Sequence, residues 1–262
     1  MIFSLDNISS TQFQQSFPVH QNWIDFFILI VILKIPIQAE EGRMMKIKFY
    51  GHSAFLITSD QGARIALDPY ESGAFGGALT YGKIPDQADV VLVSHDHADH
   101  NDAKSVPGSP EIVKGSGPKT AKGISFKGIS AYHDPSKGSE RGANTIFTFA
   151  VDGIRVCHLG DLGHILSDKD LAEIGPVDIL FIPVGGHFTI DPKEATRVAD
   201  QIKPRVLIPM HFKTDKVNFP IVPVEDFLKG KIRVKRTGKS EAAFEKGALP
   251  NQMEIVVLEP SL

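Results

Sequence analysis

The sequence predicts a single α/β domain in which layered β-strands pack against helices. Three observations carry this reading. Short β-type runs alternate with turns along most of the chain. Two of them, Val90-Val-Leu-Val93 and Ile179-Leu-Phe-Ile182, are continuously apolar, as strands covered on both faces are. Amphipathic helical patterns come only late, and no linker-like stretch divides the body.

In chain order, residues 1–44 stand apart. They contain an apolar run from Phe26 to Leu33, flanked by Asp25 and Lys34. That run is far shorter than the roughly 18–20 residues a membrane span needs. The segment reads as a leader, a signal-like segment, or the product of a start assigned upstream of Met44 or Met45. The body, 45–262, then offers strands at 46–50, 54–58, 64–67 and 90–94. Residues 71–87 are Gly-rich without periodicity and are expected to form a surface loop. Further strands are expected at 129–132, 145–151, 154–159, 179–184, 206–210 and 253–258. Asp152-Gly153 is a two-residue hairpin signal. Ser167 to Asp170 resembles a capping box that opens a helix through Leu171 and Ile174, closed by Gly175-Pro176. Asp191-Pro192 is an N-cap followed by an N1 proline, with Ala195, Val198, Ala199 and Ile202 as the apolar stripe and Pro204 as the stop.

Composition narrows the function. The chain has 262 residues, 42% hydrophobic and 23% charged, and a net charge of −3. These values fit a globular protein and provide no bulk basic field for nucleic acid. Ten histidines accompany one cysteine, Cys157. A lone cysteine closes no intrachain disulfide and builds no zinc finger. Any metal must therefore be held by imidazole and carboxylate, and the expected location is cytoplasmic, or exported if 1–44 is a true signal segment.

The central string is Val-Leu-Val-Ser-His95-Asp-His97-Ala-Asp99-His100. It places four potential ligands directly after a buried strand, where α/β sheets place their sites. His95 and His97 project to the same side of an extended segment and can share one metal. Asp99 and His100 follow as the chain turns and can face a second. Imidazole and carboxylate suit zinc, manganese or iron. Other strand ends add His133 (with Asp134 beside it), Asp161 after a glycine, and His211. The set suffices for two metals sharing a carboxylate. Asp96 is out of phase and reads as a loop hydrogen bonder.

The order His-x-His-x-Asp-His, then His, then Gly-Asp, then His resembles the metallo-β-lactamase superfamily over essentially all of 45–262. Phe49-Tyr-Gly-His52-Ser, Leu67-Asp68-Pro, Ile182-Pro-Val-Gly-Gly and Pro209-Met-His211 resemble its small metal-dependent hydrolases related to ascorbate-6-phosphate lactonase. The resemblance implies an αββα sandwich with two divalent ions, zinc first. His95, His97 and His133 would hold one; Asp99, His100 and His211 the other; Asp161 would bridge, and Asp68 would support the loops. Asp161 stands where lactam-cleaving members carry cysteine, and His97 where flavo-diiron members carry glutamate. The stretch from Asp161 to His211 is too short for a nuclease cap domain.

The expected function is hydrolysis of a small ester, lactone or phosphoester by a metal-bridging hydroxide. Asp99 would orient that hydroxide, and Asp68 and Asp134 would fix histidine tautomers. His52, His164 and His187 are the candidates for lining the pocket and supplying a general acid, while His158 reads as structural. Two competing readings are a phosphodiesterase or nuclease acting on nucleic acid or a cyclic nucleotide, and a non-catalytic metal-binding scaffold. For the first, Lys213, Lys216, Lys229, Lys231, Lys235 and Arg236 are the only basic cluster on offer, and net charge argues against it. The substrate is expected to be a small molecule, and the sequence leaves self-association open.

Overall fold

The computed structural model describes residues 42–262. The expectations placed on residues 1–41 lie outside these. Two mixed sheets face each other. The first has β1 (Met44–Gly51), β2 (Ala54–Thr58), β3 (Arg64–Leu67), β4 (Val90–Val93), β5 (Glu111–Lys114) and, at the opposite edge, β13 (Glu241–Glu245), in the order β13-β1-β2-β3-β4-β5. The second adds β6 (Gly117–Ala121), β7 (Ile124–Tyr132), β8 (Ala143–Val151), β9 (Ile154–His158), β10 (Ile179–Pro183), β11 (Val206–Met210), β12 (Val234–Arg236) and β14 (Glu254–Val257). Their order is β12-β14-β11-β10-β9-β8-β7-β6. Helices α1 (Asp168–Ile174), α2 (Pro192–Ile202) and α3 (Val224–Leu228) complete the regular elements. No helix among the described residues is long and apolar enough to cross a membrane.

Alternation along the first sheet explains its two-sided burial. Ile47, Phe55, Ile57, Ile65, Leu67, Val90 and Leu92 point into the core shared with the second sheet, where Phe55 meets Phe181 at 4.6 Å between ring centroids. The intervening Leu56, Ala66, Val91 and Val93 point outward into a second apolar cluster. Residues 71–87 form a mostly exposed, irregular loop, as expected, but it is anchored: Leu79 and Tyr81 are fully buried, and Leu79 bridges to Val217. This irregular segment covers the outer face of the first sheet. On the second sheet, α2 does the covering, burying Ala195, Val198 and Ala199.

Local signals act as their chemistry dictates. Ser167 and Asp170 form a reciprocal capping box at α1, and Asp191 and Glu194 form one at α2 behind Pro192. Asp152 and Gly153 both adopt positive φ between β8 and β9, as a tight antiparallel hairpin turn requires. Within the first sheet β1, β3 and β4 run in one direction, and within the second β7, β9 and β11 share one direction, as their pairings dictate. The residues leaving their C-terminal ends are His52, Asp68, Ser94 to His100, His133, Asp161 and His211.

Candidate metal centre

Asp68 organises the first shared elements of the centre. Immediately after β3, it accepts hydrogen bonds from the Ser94 main-chain N–H (2.8 Å) and the Ser94 hydroxyl (2.6 Å). Ser94 Oγ in turn accepts from His95 Nδ1 at 2.9 Å. Asp68 also accepts from His100 Nδ1 at 3.0 Å. Both rings are thereby left with Nε2 as the free lone pair. His133 reaches the same state differently, donating Nδ1–H to the Phe188 carbonyl at 3.0 Å. Asp134 does not fix a histidine tautomer. Its carboxylate accepts the main-chain N–H groups of Ser136, Gly138, Glu140 and Arg141, holding the loop after β7 in shape.

The ligating atoms gather into overlapping sets. His95, His97 and His133 converge, with His95 Nε2 3.1 Å from His97 Nδ1. His52, Asp99, His100 and His211 form a second set. One oxygen of Asp161 sits between the sets: Oδ2 is 3.1 Å from His133 Nε2, 3.2 Å from His100 Nε2, 3.3 Å from His211 Nε2 and 3.8 Å from His95 Nε2. Asn144, buried on β8, positions Asp161 by accepting its main-chain N–H and donating to the Leu159 carbonyl. Gly160 is required here. Its φ is +54°, and a Cβ would lie 2.3 Å from Asn144 Oδ1.

The donor chemistry fits divalent cations. Asp99 Oδ1, Asp161 Oδ1 and His100 Nε2 are buried without a hydrogen-bond partner, a costly arrangement unless a cation satisfies them. Burial, then the neighbouring His211, holds His52 down at about 4; burial and His100 hold His95 at about 3. These two rings are neutral at physiological pH. Burial would also lower His100, but the Asp161 and Asp99 carboxylates outweigh it and raise it well above the ordinary imidazole value. Burial would raise Asp161; His100 and His211 instead hold it well below the carboxylate range. Without metal, protons on histidine fill the role of the missing positive charge.

The remaining predicted residues separate clearly. His52 is drawn into the donor set itself, Nε2 lying 3.0 Å from Asp99 Oδ2. The sequence placed it only at the pocket; its φ of +53° right after a strand turns it inward. His164 and His187 do not join the centre. His164 Nε2 accepts from the Tyr132 main chain and Nδ1 donates to the Ile165 carbonyl, so both nitrogens are committed elsewhere. His187 is exposed and packs edge-on against Phe188. His158 is a core residue whose Nδ1 accepts from Gly160 N–H. Cys157 is fully buried, and burial pushes its thiol up. Asp96 is exposed and bonds Lys114 and Asn101.

A cavity of about 270 Å³ opens over His97, Asp99, His133, Asp161 and His211. Its walls include Phe75, Phe188, Phe219 and Arg141, none of which the sequence singled out. Two of the six residues of the basic cluster meet carboxylates and two others bond neutral oxygens. Lys213 donates to the Phe219 carbonyl, Lys229 to Asp226, Lys231 to Thr196 and Arg236 to Glu225.

Known proteins share this arrangement. The β-lactamase superfamily domain matches residues 46–211. A UPF0173 metal-dependent hydrolase of Thermococcus kodakarensis is 33% identical over 197 residues, 65% of this chain and 86% of that protein. One of Thermococcus onnurineus is 31% identical with the same coverage. A solved Thermotoga maritima structure, assigned to the Zn-dependent hydrolases of the metallo-β-lactamase superfamily, is 37% identical. It superimposes with a TM-score of 0.67, covering 82% of this chain and 98% of that one. A metallo hydrolase of Ignicoccus hospitalis, 22% identical with a TM-score of 0.58 over 77% of this chain and 99% of that one, shares the fold. With its αββα layers and strand-end histidines, this chain belongs to the metallo-β-lactamase superfamily and, within it, to the UPF0173 metal-dependent hydrolases.

Proposed function

We propose that the protein is a dinuclear, zinc-type hydrolase of a small ester, lactone or phosphoester. The observation that carries this reading is the position of Asp161 Oδ2 within 3.1–3.3 Å of His133, His100 and His211, between two histidine-rich donor sets. A pair of divalent ions held there supplies an activated water and an electrophile for the developing oxyanion at neutral pH. His95, His97 and His133 would hold one ion, and Asp99, His100 and His211 the other, with Asp161 between. Their imidazole-rich chemistry favours zinc, with manganese or iron as substitutes. Asp99 lines the cavity and would orient the attacking water. His52, hydrogen-bonded to Asp99, keeps that carboxylate in place and is the residue placed to hold a proton beside it. The phenylalanine walls keep bulk water from the reacting atoms.

Metal analysis of the purified protein tests the centre: two equivalents of transition metal per chain are expected, and fewer than one would end the dinuclear reading. Asp161→Ala should lower metal occupancy and cut hydrolysis by more than about a hundredfold, beyond the effect of a residue that only orients a ligand. A screen of lactones, esters, thioesters, phosphomonoesters and phosphodiesters with zinc and manganese tests the substrate class. Cleavage confined to RNA or cyclic nucleotides would favour the nuclease reading. The net charge of −3 supports a small-molecule substrate over nucleic acid. We place the hydrolase domain at 45–262, preceded by the separate 1–44 extension, in the cytoplasm. N-terminal sequencing of the native protein and cell fractionation check these two assignments.

A further inference from the structure

We propose that the cavity over the donor cluster recognises a small carboxylate bearing an aryl or branched alkyl group. The apolar group would seat among Phe75, Phe188 and Phe219, and the carboxylate would meet Arg141. This rests on the hydrolytic reading above and names the substrate class for it.

Phe219 is the hub of an edge-to-face rosette. Its ring centroid lies 5.4 Å from Phe75, 5.8 Å from Phe188 and 5.8 Å from His52 of the donor set. An apolar surface therefore begins directly against the metal-ligating atoms. The rings come from separate segments, yet main-chain bonds fix them together. Asn218 N–H donates to the Ala78 carbonyl at 2.7 Å, and Thr80 N–H to the Lys216 carbonyl at 2.8 Å. Lys213 Nζ holds the Phe219 carbonyl at 2.9 Å. The Phe188 carbonyl is the acceptor that orients His133. A preformed aromatic wall of this kind is what an apolar ligand pocket requires.

Phe75 is the most telling member. It is 54% exposed at the mouth and has φ +54°, a left-handed conformation unusual for a bulky residue. Exposing a phenylalanine in a strained turn has a cost that a ligand covering it would offset. Arg141 supplies the polar end. Its guanidinium lies 6.0 Å from the Phe188 ring, and its nearest carboxylate oxygen, on Glu140, is 3.6 Å away, beyond hydrogen-bond length. Glu140 is itself engaged by the Ser136 hydroxyl. The contact with Glu140 is an ion pair on the cavity wall rather than a hydrogen bond, so guanidinium N–H groups remain available to a ligand carboxylate. Among the described residues, the lining of this cavity contains no hydroxyl or amide side chain.

Calorimetry on the full chain, zinc-loaded and metal-stripped, tests this with four probes: 4-phenylbutyrate, butyrate, 4-phenylbutanol and glucose 6-phosphate. 4-Phenylbutyrate should bind about tenfold more tightly than butyrate and than 4-phenylbutanol. Phe75→Ala, at an exposed position that leaves the core intact, should narrow the preference over butyrate. Arg141→Gln should erase the preference over the alcohol. Equal binding of butyrate and 4-phenylbutyrate, tighter binding of glucose 6-phosphate, or both preferences intact in the variants would overturn the proposal. A protein with two metal equivalents that prefers sugar-phosphate lactones keeps the hydrolytic reading and loses this one. Aryl-carboxylate binding by a protein that hydrolyses no ester does the reverse.

Discussion

Asp68 carries an influence out of proportion to its place outside the metal-ligating sets. One carboxylate directs His100 itself and His95 through the Ser94 hydroxyl, so two proposed ligands from one loop share a single orienting group. Asp68→Asn can donate where it should accept, which disturbs both tautomers at once. The expected outcome is a 10- to 100-fold loss of zinc affinity, the range typical of residues that orient a metal ligand, read by competition with a chromogenic chelator; unchanged affinity would show that the Ser94 relay is passive. Asp68 has φ +40°, and His52 and His211 have φ +53° and +51°. Non-glycine residues in this region cost roughly 1–3 kcal/mol each. Three of them at one edge show where the fold holds strain in order to aim side chains.

At the level of elements, close approach of backbones decides what can be altered. A Cβ on Gly163 would lie 2.3–2.4 Å from the main chain of His133 and Asp134. Gly163→Ala must therefore push the β7 end away from the centre. It should destabilise the fold by about 1–3 kcal/mol and lower metal occupancy, whereas Gly247→Ala, in open space, should stay within about 0.5 kcal/mol of wild type. Thermal melts of the two variants check this. A second tie between elements is ionic. Asp178, 1% exposed, accepts from the Arg155 main chain and guanidinium on β9 and from Lys246 beyond β13. Burial alone would raise its carboxyl, but Arg155 and Lys246 hold it well below the usual range. A depressed carboxylate stabilises the fold above its unfolded value near 3.9, and this contribution fades as pH falls through the folded value. Asp178→Asn should cost about 1–3 kcal/mol at pH 7; in denaturation curves the difference should begin to shrink only below about pH 4 and vanish only as pH approaches the depressed folded value.

These elements also show what a sequence can and cannot disclose. Strands such as 54–58, 64–67 and 206–210 are legible because apolar residues dominate them, and both longer helices announce their caps. Strands β5, β6, β12 and β13 are not: Gly117-Pro-Lys-Thr-Ala121 and Val234-Lys-Arg236 are mostly polar, and their neighbours' hydrogen bonds, rather than burial, make them strands. The metal-ligand motif was legible because four donors crowd into His95 to His100. His52 was legible only as a pocket residue, since its entry among the donors depends on a backbone turn. Phe75, Phe188 and Phe219 gave no local signal, because only the fold brings residues so distant in sequence to one cavity.

Across the whole molecule, charge and pH are linked through the centre. In the metal-free protein, carboxylates raise His100 and His133 above the ordinary imidazole value, so these rings keep their protons to higher pH. A divalent ion bound there would have to displace those protons. Affinity should therefore fall by at least about tenfold between pH 8 and pH 6, measured by chelator competition at fixed ionic strength. An affinity indifferent to pH would mean that these histidines are not ligands.

The donor sets draw on residues from His52 to His211, and edge strand β13 closes on β1 through pairs such as Met44 with Glu245. This arrangement has a consequence during synthesis. A growing chain displays His95, His97, Asp99 and His100 long before Asp161 and His211 leave the ribosome, and the first sheet lacks its closing strand until nearly all the body has emerged. For that interval the nascent protein is an open chelator with an unpaired sheet edge. The complete donor set exists only once His211 has emerged, and the sheet edge closes only with β13.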